Sequence, residues 1–148
     1  MKYKIILNIL DDLYVSAIIV SGGDGIMDDK SVEVLHSDGT PWCSLPDLPE
    51  ERSYHAQTGL LACGGVSNEK IWTTSCFKFS EGKWKPSHKL KKERDSHSSW
   101  ASPAGTVLMG GVDVESSQNI IGKTTELLDD TSSVPISIMH FPLKYEIS

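Results

Sequence analysis

The sequence predicts an all-β fold made of three similar units, each of four short antiparallel strands. Three observations predict it. An apolar run closed by two glycines occurs three times, at Gly22-Gly23, Gly64-Gly65 and Gly110-Gly111. Apolar and β-branched runs stay near strand length, with no sustained helical period. Turn signals separate them: Asp38-Gly39, Pro46-Asp47, Glu81-Gly82 and Pro103-Ala104-Gly105.

The three units share a register. Successive glycine pairs stand 42 and 46 residues apart. Trp42 and Trp84 keep the spacing of 42, as do Leu48 and Leu90. Glu51-Arg52-Ser53-Tyr54-His55 recurs 42 residues on as Glu93-Arg94-Asp95-Ser96-His97. A period of about 40–50 residues with strand-sized runs marks a β-propeller blade.

On this frame the chain, 1–148, is a partial propeller with blades near 1–45, 50–87 and 94–145. The first blade places strands at 3–9, 17–21, 32–36 and 42–45. The second places them at 54–58, 60–63, 73–79 and 84–87. The third places them at 97–101, 106–109, 124–128 and 138–145. The glycine pair ending each inner strand permits positive φ and close backbone approach where blades converge. A Trp on the outer strand fills the space between adjacent sheets. The Arg and His of the recurring segment tie carbonyls and carboxylates between blades. Pro46 and Pro49 fix the bend from one blade to the next.

Composition bounds the function. The chain has 148 residues, 39% of them hydrophobic and 23% charged, ordinary for one globular domain. At this size a domain buries roughly 70% of its unfolded surface. Fourteen basic residues against 20 acidic give a net charge of −6. That argues against nucleic acid or an anionic membrane as partner, since both select a basic face. Collagen-like, coiled-coil and disordered compositions are excluded. No apolar run approaches the roughly 20 residues of a membrane span. Near the N-terminus, Asp11-Asp12 interrupt the apolar stretch, and residues 15–20 run straight into Ser21-Gly22-Gly23. These read as two strands rather than a secretory signal.

The ordered features resemble the kelch repeat, a four-stranded propeller blade. In the first unit Val20-Ser21-Gly22-Gly23, Val32-Glu33-Val34, Trp42, Leu48-Pro49 and Arg52-Ser53-Tyr54-His55 follow its pattern. The second supplies Cys63-Gly64-Gly65, Phe77-Lys78-Phe79, Trp84, Leu90 and Arg94-Asp95-Ser96-His97, without a proline after the leucine. The third keeps Met109-Gly110-Gly111 and Thr125-Glu126-Leu127 but has no equivalent Trp. Phe141-Pro142-Leu143-Lys144-Tyr145 stands there as a divergent outer strand. Kelch propellers usually hold five to seven blades, and this chain supplies about three. The BTB and BACK domains of ubiquitin-ligase adaptors are missing. A three-blade arc leaves two terminal sheet faces uncovered. Either two chains complete a ring, or the chain is a fragment of a longer protein; the ending at Ile147-Ser148 favours the fragment.

The resemblance implies a protein-interaction scaffold that is not an enzyme, binding a protein partner through blade-connecting loops or self-associating to complete the propeller. The candidate loops are 24–31, 66–72 and 112–123. The last is the longest, with Ser116-Ser117-Gln118-Asn119 at its tip. The rival reading is part of a catalytic propeller of the copper radical oxidase kind, its active residues outside this chain. Of His36, His55, His88, His97 and His140, two hold repeat-equivalent positions and the others show no ligand-like spacing. A nonfunctional gene fragment is a third alternative.

Other chemistry finds no support. There is no Gly-x-Ser-x-Gly elbow, phosphate loop or dinucleotide fingerprint. Asp24, Asp28 and Asp29 lack the spacing of a calcium loop, and no C-x-x-C pair suggests zinc. No catalytic residue, cofactor or metal site is therefore expected. Lys89, Lys91 and Lys92 beside Arg94 form a basic stretch expected to lie in solvent. Cys63 and Cys76 fall on neighbouring strands, within disulfide reach or as two buried thiols. The first alternative implies a secreted protein and the second a cytoplasmic one, so the sequence leaves the compartment open. Cys43 has no evident mate.

Overall fold

A computed structural model of the chain describes residues 5–9, 15–23, 30–36, 41–67, 69–113 and 124–129. Among them every regular element is a β-strand. The first antiparallel sheet contains β1 (Ile5–Ile9), β2 (Val15–Ser21), β3 (Val32–His36) and β4 (Cys43–Leu45), in that order. The second contains β5 (Ala56–Thr58), β6 (Leu61–Cys63), β7 (Ser75–Ser80) and β8 (Lys83–Lys89), again in order. β9 (Arg94–Asp95) precedes the third, which contains β10 (Ser98–Ser102), β11 (Gly105–Met109) and β13 (Thr125–Leu128). β12 (Val112–Asp113) pairs with β9 in a separate two-stranded ribbon. The expected strand at 138–145 lies outside the described residues.

Turn chemistry sets the registers. Glu81-Gly82 joins β7 to β8 in a two-residue loop with φ of 52° and 76°. Positive φ at both positions is the type I′ geometry that matches strand twist. Gly59-Leu60 joins β5 to β6, with positive φ only at the glycine, φ 64°. That is the type II′ pattern.

Alternation along each strand divides the sheets into two faces. Ala17, Ile19, Val32 and Val34 of the first sheet share a core with Leu48, Ala62, Phe77 and Trp84. The opposite face of the second sheet, with Ala56, Leu61, Cys63 and Cys76, shares a second core with Leu90, Leu108 and Leu128. The sheets thus stack in chain order, and their first strands lie closest, β1 near β5 and β5 near β10. Away from those strands, larger side chains fill the gap. Trp84 sits edge-on to Phe79 and donates its indole N–H to the Pro46 carbonyl at 2.8 Å.

Trp42 departs from expectation. It stands beside β4 and is 49% exposed, whereas Trp84 is 8% exposed. Trp84 is covered because the first sheet and its trailing linker pack over it. Among the described residues, no sheet precedes the first one to stand over its equivalent face.

Candidate functional site

The expected binding loops, 24–31, 66–72 and 112–123, join the second strand to the third within one sheet rather than joining one blade to the next. The same backbone bond closes each of them. Gly22, Gly64 and Gly110 donate N–H to the carbonyls of Ser31, Ser75 and Thr124 at 3.0, 3.1 and 3.1 Å. The closing residues lie 9, 11 and 14 positions along, so one scaffold carries loops of increasing length. Residues 24–29 and 114–123 lie outside the described residues. The middle loop is described apart from residue 68.

The second glycine of each pair links units. Gly23 donates to the Arg52 carbonyl at 3.3 Å, and Gly65 to the Arg94 carbonyl at 2.9 Å. In the second pair neither glycine leaves room for a side chain. A Cβ on Gly64 (φ +64°) would stand 2.8 Å from the Arg94 carbonyl oxygen and 2.7 Å from His97 Cε1.

The guanidinium groups work differently from the sequence expectation. Each ties its own sheet, while only the arginine carbonyl reaches the preceding unit. Arg52 Nη1 donates to the carbonyls of Gly64 and Ser75, both at 3.1 Å. Its Nη2 donates to Ser75 Oγ at 2.8 Å and Glu50 Oε2 at 3.0 Å. Arg94 repeats the pattern on Gly110 at 2.9 Å, on the Thr124 carbonyl at 3.2 Å and on Thr124 Oγ1 at 2.9 Å. Its charge meets the buried Glu126 carboxylate at 2.6 Å. These bonds lock the mouths of the second and third loops. Burial draws the Arg52 pKa below its ordinary value, against the opposing pull of Glu50.

Of the two motif histidines only His55 makes a hydrogen bond between units, and to a hydroxyl rather than to a carbonyl or carboxylate. His55 Nε2 lies 2.9 Å from Ser21 Oγ, which also donates to Gln57 Oε1. Burial first, then the charges of Arg52 and His97, pushes the His55 pKa down to about 3. Burial and then the Arg94 charge lower His97 to about 4. Unit 2 has Cys63 where unit 1 has Ser21, and no hydroxyl is supplied. His97, 7% exposed, makes no hydrogen bond through either ring nitrogen.

The 66–72 loop is a small braced hairpin. Ser53 and Val66 exchange backbone bonds at 2.8 and 2.9 Å. Ser67 donates to the Ile71 carbonyl at 2.9 Å, and Lys70 to the Ser67 carbonyl at 2.9 Å. Trp72 Nε1 donates to Asp95 Oδ2 at 2.7 Å, pinning the loop to the next unit. This bracing leaves Ile71 56% exposed at the tip. The β9–β12 ribbon repeats the Ser53–Val66 bridge one unit later. Sequence reasoning missed it because it treated the Arg-x-x-His segment as a motif and not as a strand.

Lys89, Lys91 and Lys92 are exposed, while Arg94 is buried. Cys63 and Cys76 form a disulfide between directly opposed residues of β6 and β7, and Cys43 is an exposed free thiol. Among the described residues, no three His, Cys, Asp or Glu side chains gather to hold a metal ion. No helix among them is long and apolar enough to cross a membrane. A cleft beside Lys92, Arg94, Gly111 and Thr124 is too shallow to admit a water-sized sphere. Compared with known proteins, the chain matches no family model and no curated protein.

Proposed function

We propose that the chain is a run of kelch-type propeller blades and acts as a non-catalytic protein-interaction scaffold. The partner is a protein, held by the loops between second and third strands. The reading draws support from the order of glycine pair, Trp, Leu and Arg-x-x-His along the sequence. One structural observation carries the choice of surface. The 66–72 loop is fixed at its base by Ser53, Val66 and the Trp72–Asp95 bond, yet presents Ile71 to solvent. A rigid base with an exposed apolar tip loses little entropy on binding.

The test is selection of a displayed random-peptide library on the immobilised full chain, followed by titration of the recovered peptides. Ile71→Asp is expected to weaken recovered peptides by about tenfold or more, the scale of one buried anchor. Failure to enrich any peptide, or equal affinity for Ile71→Asp, overturns the reading.

A further inference from the structure

We infer that the forward face of the third sheet, which no sheet covers among the described residues, docks on the backward face of the first sheet of a second copy of this chain. The inference goes beyond the loop-binding reading and does not depend on it. It starts from an interface the molecule already contains twice. In both cases a sheet's forward face is covered by the backward face of the following sheet. Equivalent positions face the same way: Ile19 and Val32 face forward in the first sheet, as Leu61 and Cys76 do in the second.

The third sheet repeats this forward face with no sheet following it among the described residues. Trp100 pairs with Val107, and Val107 with Leu127, forming one apolar row across all three strands. Met109 lies on the same face. Trp100 is 60% exposed and Met109 39%. The inward residues of the same strands, Leu108 and Leu128, are 1% and 4% exposed.

The first sheet carries the matching backward face. Ile18, Val20 and Leu35 alternate with the core residues of β2 and β3 and are half-buried. Trp42 stands one residue before Cys43, which pairs with Val34, and is exposed, whereas Trp84 pairs with Phe79 and is buried. One end therefore presents a forward face with Trp100, and the other a backward face with Trp42. The described residues hold both halves of a third interface of a kind the chain already makes twice, and the two halves do not meet among them. A second copy can bring such halves together. Such a contact is heterologous, joining different patches, and two copies satisfy it twice when the ring closes.

The test is light scattering coupled to size-exclusion chromatography on the full chain carrying Cys43→Ser, which removes intermolecular disulfides as a source of dimers. The expected mass is twice 16.2 kDa. Trp100→Glu and Trp42→Glu are each expected to give folded monomer by circular dichroism. Their equimolar mixture is expected to recover a dimer, because one intact forward face and one intact backward face remain. If either glutamate variant unfolds, Trp100→Gln and Trp42→Gln serve in its place. A folded wild-type monomer, or an aggregate of no defined mass, overturns the inference and favours further blades on a longer chain. A dimer that persists in both single variants, or a mixture that stays monomeric, overturns it as well.

Discussion

Arg94 and Glu126 form an ion pair at 2.6 Å, with side chains 3% and 6% exposed. The same carboxylate accepts the Lys91 backbone N–H at 2.9 Å through its second oxygen. One unit earlier, the position of Glu126 is taken by Phe77, whose ring centre lies 5.0 Å from the Arg52 guanidinium carbon. There Glu50, 54% exposed, supplies the negative charge. The two loops are thus locked by equivalent arginines, Arg52 and Arg94, with different charge compensation.

That difference predicts unequal losses. Glu126→Ala leaves a buried guanidinium uncompensated and is expected to cost about 3–5 kcal/mol. Glu50→Ala removes a solvent-screened partner and is expected to cost under about 1 kcal/mol. Urea denaturation of both variants measures the gap; equal losses would refute the assignment.

Acid sensitivity follows from the two buried imidazoles, His55 and His97. Their pKa values fall from 6.5 to about 3 for His55 and about 4 for His97. Between those values and 6.5 the unfolded chain binds more protons than the fold. Stability is therefore complete above pH 6.5 and declines as pH drops below it. Each imidazole contributes a loss of about 2 kcal/mol between pH 7 and pH 5. Replacing both by Gln is expected to flatten the stability profile over that interval, and an unchanged slope would contradict it.

The disulfide between Cys63 and Cys76 closes a short loop of separation 13. Constraint of the unfolded chain predicts a loss of about 2–3 kcal/mol when it is removed. The midpoint of urea denaturation with and without a dithiol reductant measures this. A Cys63→Ser, Cys76→Ala chain also offers His97 the hydroxyl that Ser21 gives His55. It is expected to be more stable than Cys63→Ala, Cys76→Ala, and the reverse order would sink that equivalence.

Glycine substitutions separate backbone conformation from crowding. Gly82 has φ +76° with open space around its Cβ direction, so Gly82→Ala is expected to cost about 1–2 kcal/mol. Gly65 has φ +94°, and a Cβ there would lie 2.5 Å from the Ser53 carbonyl oxygen. Gly65→Ala therefore adds a backbone clash to the same conformational cost and is expected to lose distinctly more. Thermal denaturation of the pair tests the ranking.

Much of the fold was legible. Strands at 17–21, 32–36 and 106–109 emerge within two residues of expectation, because an apolar run bounded by Gly or Pro carries its own length signal. The pairing of Ser53 with Val66 and of Asp95 with Val112 was hidden, since isolated bridges have no periodicity to read. Tyr54 and Ser96 are equally opaque. Both adopt positive φ, 54° and 51°, at equivalent positions where neither residue type signals it. At the loops, 66–72 stood out as a candidate binding loop, with no sign that Trp72 reaches Asp95.

The sequence by itself determined the repeat, the strand order and the positions of the three loops, because these depend on alternation and on turn residues close in the chain. Only the tertiary structure decided which face of each sheet is covered. It also decided that the arginines brace their own sheet and that Trp42 stands exposed while Trp84 is buried. Those outcomes depend on which neighbour packs against a surface, and two identical residues at equivalent positions carry no record of their neighbours.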